Sequence, residues 1–128
     1  MILLVRPWEV ETIWPSVEPE LRRALVDTFH QTTDDLRRMC REDRAQLWVG
    51  RQFSAVTLVL DGEPRILHIT ALAGDEMEGW IDPLISRWRE FARSHGCAKM
   101  IATGRPGWKR VFKTHGFAVT KITGVCEV

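Results

Sequence analysis

Residues 104–110, Gly104-Arg105-Pro106-Gly107-Trp108-Lys109-Arg110, bring two glycines, one indole and three cations together. Pro106 stands where the first turn of a helix accepts a ring in place of an N–H. Cations and free N–H groups at a helix start suit an anion: a phosphate, a partner's carboxylate or a nucleic-acid backbone. Arg105, Trp108, Lys109 and Arg110 are therefore candidate partner-binding residues. The same residues also read as a strand-to-helix turn, with Trp108 turned inward and the cations in water. The segment is not a phosphate-binding P-loop, because neither its glycine spacing nor a Lys-Ser/Thr pair matches.

His68 is the candidate catalytic group. It falls mid-strand, and a neutral imidazole can take a proton from an attacking amine. A single His on a strand is more commonly a hydrogen-bonded core residue, and both readings stay open here. The four histidines, His30, His68, His95 and His115, are scattered, so no metal site is expected. The three cysteines, Cys40, Cys97 and Cys126, are odd in number and widely spaced, which fits a reducing cytoplasm.

Composition bounds the rest. At 128 residues with 45% hydrophobic and 27% charged residues, the chain fits one globular domain. The net charge of +1 is unevenly spread. From Arg87 to Lys121 there are nine Lys or Arg and one acid, Glu90; residues 1–64 hold eleven acids and eight bases. A basic C-terminal third can meet phosphates, an acidic partner or nucleic acid. No apolar run approaches the ~18 residues of a membrane span, so no membrane partner is expected.

The positioning elements follow from periodicity. Residues 2–10 are β-rich and predict a first strand. Trp14-Pro15-Ser16 reads as a turn, with Ser16 as an N-cap. Leu21, Leu25 and Phe29 make a helical stripe. Thr33 is placed to cap a second helix whose Asp34 and Asp35 suit the helix dipole and whose inner face is Leu36, Met39 and Cys40. Strands are expected over 46–50, 55–60 and 65–73, the last two joined by a turn at Asp61-Gly62. The third of these is apolar on both faces, as expected of a central, covered strand. After a loop from Gly74 to Gly79, Trp80, Leu84, Ile85, Trp88 and Phe91 mark the inner stripe of a helix over 80–95. A strand over 99–103 precedes a helix carrying Trp108, Val111, Phe112 and His115 at i, i+3, i+4 and i+7. Residues 117–128 are β-rich, with Thr123-Gly124 as a turn.

This order, ending in "helix, His115-Gly116-Phe117, strand", resembles the GNAT superfamily of N-acetyltransferases over essentially the whole chain. More narrowly, the run from the Glu78-Gly79-Trp80 helix through Gly96-Cys97 to Gly104–Val111 resembles small GNAT-like proteins of tailed phages and prophages. The resemblance implies an α/β (α+β) fold with a central, mixed, mostly antiparallel sheet. That sheet splits between the fourth and fifth strands and is flanked by about four helices. It implies an acyl-CoA-dependent N-acyltransferase with acetyl-CoA as cofactor. The pantetheine arm would run along the fourth strand and the pyrophosphate would rest at the next helix start. The implied cofactor-binding residues are Leu72, Ala73, Gly74, Gly79 and Arg105.

Two departures from the family stand out. Its loop carries an Arg or Gln before the glycines, whereas Asp75, Glu76 and Glu78 stand here. Its general-acid Tyr falls at Phe112, and the chain has no Tyr at all. The alternative is a non-catalytic binding or assembly module, such as a virion component. Nucleic-acid binding through the basic third is a further alternative. Because so few residues follow Phe117, the last strand is expected to be short and open at its edge. That edge would serve a protein partner or a homo-oligomer.

Overall fold

The structure is a computed structural model that describes residues 1–25, 32–103, 113, 118–120 and 123–127. The chain forms β1 (Leu3–Val5), a 3-10 turn at Pro7–Glu9, α1 (Val10–Ala24), α2 (Thr33–Arg41), β2 (Gln46–Val49), β3 (Phe53–Leu60) and β4 (Ile66–Gly74). A second 3-10 turn (Met77–Gly79), α3 (Ile81–Ser94), β5 (Lys99–Thr103), β6 (Ala118–Thr120) and β7 (Thr123–Glu127) follow. The strands make one sheet in the order β1-β2-β3-β4-β5-β7-β6. Only β4 and β5 run parallel; the other pairings are antiparallel. The expected α+β class and mixed, mostly antiparallel sheet are therefore present. The expected fourth helix lies outside the described residues.

Helices cover both faces of the sheet. On one side α3 buries Leu84, Ile85 and Trp88 against Trp48, Phe53, Leu67, Ile69 and Met100. On the other, α1 and α2 bury Trp14, Leu21, Leu36 and Cys40 against Leu47, Val56, Leu58 and Ala71. β4 contributes to both cores, as its two apolar faces require. Inside the first core the Trp48 indole N–H donates to Thr57 Oγ1 (2.9 Å), whose hydroxyl donates to Gln46 Oε1 (2.8 Å). The buried indole is thus satisfied.

Four expectations are corrected. The first strand is only three residues long, because the chain turns helical from Pro7. Trp14-Pro15-Ser16 is not a turn but the middle of α1, and the Ser16 hydroxyl donates to Ile13 O (2.7 Å) instead of capping. Two interior prolines, Pro15 and Pro19, cost a helix ~3 kcal/mol each. Burying Val10, Trp14 and Leu21 offsets this by roughly 2 kcal/mol apiece, and half-buried Ile13, Val17 and Leu25 add to it. Both prolines lie on the exposed face, four residues apart. The cap of α2 is Thr32 rather than Thr33. Thr32 Oγ1 accepts from Asp35 N (3.1 Å) while Thr32 N donates to Asp35 Oδ2 (3.0 Å), a reciprocal capping box.

The fourth correction concerns the C-terminal strand. β7 is an interior strand, not an open edge. It pairs with β5 from Thr123 to Glu127 and with β6 from Thr123 to Val125. Gly124 lies within that ladder, opposite Ala102 and Val119, instead of in a turn. The edge on this side is β6, only three residues long. A partner or second copy adding to the sheet on this side would meet β6 rather than β7.

Candidate functional site

The site begins where two strands part. β4 and β5 pair only from Ile66–Lys99 to Ile69–Ala102. β4 then continues for five residues, Thr70 to Gly74, with no described strand on its β5 side. On its other side the same stretch stays paired with β3, up to Phe53–Gly74. The expected split between the fourth and fifth strands is present. No described strand pairs with that side of Thr70 to Gly74, and main-chain N–H and C=O groups need partners.

A bulge sits at the mouth of this gap. The β3–β4 register runs Val56–Ala71 and then Thr57–Ile69, so Thr70 has no opposing residue. One extra residue bends a strand and shifts the side-chain phase beyond it. Leu67, Ile69 and Leu72 accordingly face α3, whereas Ala71 faces α1 and α2. His68, 3% exposed, fastens the bulge: its Nδ1 lies 2.8 Å from Thr70 Oγ1. Burial disfavours the charged imidazole and lowers its pKa from 6.5 to about 4. The ring is therefore neutral at physiological pH.

The loop after β4 is tied down on one side. Asp75 N donates to Gln52 O (2.9 Å), Gln52 Nε2 donates to Glu76 Oε2 (2.7 Å), and Trp80 Nε1 donates to Asp75 O (2.7 Å). Glu76 takes a left-handed conformation (φ 52°) to make this corner. Gly74 is required by packing: a Cβ there would lie 2.4 Å from Gln52 O and 2.8 Å from Trp80 Cζ2. Gly79 is different. A Cβ there would meet nothing within 4 Å, so the space beside the start of α3 is open.

The start of α3 is chemically unusual for anion binding. Its N-cap, Trp80, makes no side-chain cap bond. Asp82 puts a negative charge in the first turn, and Pro83 removes one N–H from it. Asp75, Glu76 and Glu78, all exposed, precede it. Free N–H groups and the positive dipole end make a helix start attractive to phosphate, and here both are reduced.

Beside the end of β4, on the α1 side, is a cavity of about 240 Å³. Glu20, Arg23 and Ala24 of α1 form one wall; Leu72, Ala73, Gly74 and Asp75 form the other. Glu20, Arg23 and Asp75 make no side-chain hydrogen bond or ion pair with any described residue.

Leu72, Ala73 and Gly74 thus fall together along the gap, and Gly79 lies beyond the loop at the start of α3. His68 lies four residues before Leu72, inside the fold. Arg105, Trp108, Lys109 and Arg110 lie outside the described residues, as do Phe112 and His115. Sequence reasoning missed Thr70, because a register shift is invisible along one strand. It also missed Glu20 and Arg23, which read as solvated helix residues. Their signal was local: Glu20 and Ala24 are one turn apart and flank buried Leu21. Among the described residues no group of three or more His, Cys, Asp or Glu is placed to hold a metal, and no helix is long and apolar enough to cross a membrane.

No protein-family model and no curated protein matches the chain by sequence. Solved structures do resemble it. An IAA acetyltransferase from Bacillus cereus is 16% identical with a TM-score of 0.66, covering 100% of this chain and 99% of that one. A ribosomal-protein-alanine N-acetyltransferase from Brucella melitensis is 13% identical with a TM-score of 0.65, covering 93% of each chain. A GNAT-family N-acetyltransferase from Escherichia coli, in complex with CoA, is 15% identical with a TM-score of 0.65, covering 99% of this chain and 80% of that one. At these identities the likeness is one of fold: this chain has the GNAT acetyltransferase fold.

Proposed function

We propose that this chain is an N-acyltransferase that takes its acyl group from an acyl-CoA thioester. The observation that carries the reading is the five-residue stretch of β4, Thr70 to Gly74, which no described strand pairs beyond the Ile69–Ala102 register. An extended pantetheine arm has amide N–H and C=O groups that pair with such an edge as another strand would. The likeness to a CoA-bound N-acetyltransferase supports the same placement.

Bound acyl-CoA supplies an activated thioester, whose carbonyl carbon bonds to the acceptor nitrogen as the C–S bond breaks and the thiol leaves with the nitrogen's proton. The main chain of Leu72, Ala73 and Gly74 holds the arm. His68 is a positioning residue that fixes the bulge through Thr70. Gly79 leaves room for the donor beside α3, and Arg105 is assigned to its phosphates. With Phe112 in place of the family's Tyr, water or His115 relays the nitrogen's proton to the leaving thiolate.

A second reading, a GNAT-fold binding module without turnover, draws on the start of α3. Asp75, Glu76, Glu78, Asp82 and Pro83 make a poor seat for a pyrophosphate. Calorimetric titration with acetyl-CoA and with S-acetylpantetheine separates the two. The acyltransferase reading expects both to bind. Their affinities should lie within about tenfold of each other, because a weakened helix start contributes little. Binding of neither would leave the module reading in place.

A further inference from the structure

The end of β4 has β3 on one side and the gap on the other. The β3–β4 ladder closes at Phe53–Gly74, and Asp75 N extends it by one bond, donating to Gln52 O (2.9 Å). Trp80 Nε1 donates to Asp75 O (2.7 Å) from a ring that is 6% exposed and stacked on Phe53, with centroids 4.7 Å apart. Both main-chain groups of Asp75 are therefore engaged. Glu76 follows in a left-handed conformation (φ 52°), and Gln52 Nε2 donates to its Oε2 (2.7 Å). Such a backbone is disfavoured outside glycine and persists where its surroundings hold it. Here the ties of Asp75 and Glu76 to Gln52 and Trp80 supply that hold.

The consequence is where the Glu76 charge sits. Gln52 immediately precedes β3. A carboxylate held by its side-chain amide lies on the β3 side of β4, across that strand from the gap. Asp75, Glu76 and Glu78 read along the chain as three negative charges beside the donor's phosphates. In the fold, one of them is turned toward β3 and fastened there. An amide N–H bonded to a carboxylate is a charge-assisted bond, stronger than a neutral one. Its donor is also well placed, because the main chain of Gln52 is itself fixed by Asp75 N.

We infer that Gln52 is a positioning residue for the acyl donor: it parks the Glu76 carboxylate on the β3 side and so keeps that charge off the path of the donor's phosphates. The inference rests on the acyltransferase reading and names the residue that lets an acidic loop admit a phosphate-bearing donor. Without the Gln52 amide, the Glu76 side chain is free to rotate about its torsions, and its charge can approach the start of α3. Like charges there repel the phosphates, with a strength that falls with distance and with salt. The pantetheine arm is uncharged, so this repulsion acts on the nucleotide end of the donor and leaves the arm alone. Gln52 therefore sets how well the chain tells acetyl-CoA from a phosphate-free thioester.

The test is a double-variant cycle on the full chain, read by calorimetric titration with acetyl-CoA and with S-acetylpantetheine. The proteins are the wild type, Gln52→Ala, Glu76→Gln and the two changes combined. Gln52 is exposed, and Gln52→Ala keeps the main-chain bond from Asp75 N, so the fold is not threatened. Gln52→Ala should weaken acetyl-CoA by about threefold to tenfold and S-acetylpantetheine by less than about twofold, as expected for one partly screened charge near phosphates. With Glu76→Gln there is no charge to park, so adding Gln52→Ala should change acetyl-CoA by less than about twofold. In about 1 M salt the effect of Gln52→Ala should disappear. A loop merely loosened would weaken acetyl-CoA in both backgrounds and at either salt concentration. The inference fails if Gln52→Ala leaves acetyl-CoA unchanged, if it weakens both ligands alike, or if its effect survives Glu76→Gln. Any of those results, with S-acetylpantetheine still bound, leaves the acyltransferase reading standing. If the wild-type chain binds neither ligand, the acyltransferase reading fails and the inference fails with it.

Discussion

His68 Nδ1 lies 2.8 Å from Thr70 Oγ1, and Thr70 is the residue of β4 that nothing in β3 opposes. A buried pair of polar side chains thus pins the irregularity that opens the sheet. The link runs from one hydrogen bond to the strand's bend, and from the bend to the gap in which a thioester can lie.

Removing the hydroxyl tests that link. Thr70→Val keeps the shape and leaves His68 Nδ1 without this partner, which costs about 1–3 kcal/mol when the group is buried. Thr70→Ser should restore most of the loss. Urea unfolding of the three proteins measures both changes.

The buried imidazole also sets a pH dependence. Its folded pKa of about 4 lies below its ordinary 6.5. Above pH 6.5 both folded and unfolded chains carry it neutral, and its contribution is fully present. As pH falls from 6.5 toward 4 the unfolded chain takes up a proton that the folded chain refuses, so stability is lost. The loss approaches 1.4 kcal/mol per pH unit and totals about 3 kcal/mol. Below pH 4 it levels off. Hydrogen bonds and Arg37 hold the Glu11 carboxyl low, and Thr32 holds the Asp35 carboxyl low. Their contributions are lost only further down, as pH falls below the ordinary 4.5 and 3.8. Denaturant unfolding at pH 7, 6 and 5 should show the slope, and His68→Gln should flatten it.

Much of the sheet was legible because its signals are local. The two apolar faces of residues 65–73 marked a covered central strand, and the Asp61-Gly62 turn marked the hairpin. Leu36, Met39 and Cys40 gave the inner face of α2. What escaped was set by distant contacts. Pro15 and Pro19 argue against a helix from within the sequence; only the core around Trp14 and Leu21 overrides them. β7 pairs between β5 and β6 because the chain returns past its neighbour, which no property of residues 117–128 announces. Gly74 was visible as a glycine, but its reason, the approach of Gln52 and Trp80, is tertiary.

That approach makes Gly74 a sensitive position. A Cβ there would sit 2.4 Å from Gln52 O and 2.8 Å from Phe53 Cβ. Gly74→Ala must push the end of β4 away from β3, at a cost of about 1–3 kcal/mol as an overpacked site. Gly79→Ala meets open space and should leave stability within about 1 kcal/mol, gaining slightly from lost chain freedom. If Gly79 faces the donor, the same change should weaken acetyl-CoA binding. Thermal unfolding and calorimetry on the two variants separate a packing glycine from a ligand-facing one.

The cap of α2 offers a plain stability test. Thr32 accepts from Asp35 N and donates its own N–H to the Asp35 carboxylate. Thr32→Ala removes the side-chain acceptor and should cost about 1 kcal/mol. Thr33→Ala keeps the box and loses only the bond to Glu18 Oε1 (3.1 Å), so it should cost less. Parallel urea titrations rank the two.

The central claim is that the open edge of β4 receives the acyl donor, and amide hydrogen exchange read by NMR tests it most directly. Adding saturating acetyl-CoA should slow exchange at gap-facing amides between Thr70 and Gly74 by about tenfold or more, as expected where a ligand covers them. Amides of Ile66 to Ile69, already paired with β5, should change little. Donor binding with no protection between Thr70 and Gly74 would contradict the account.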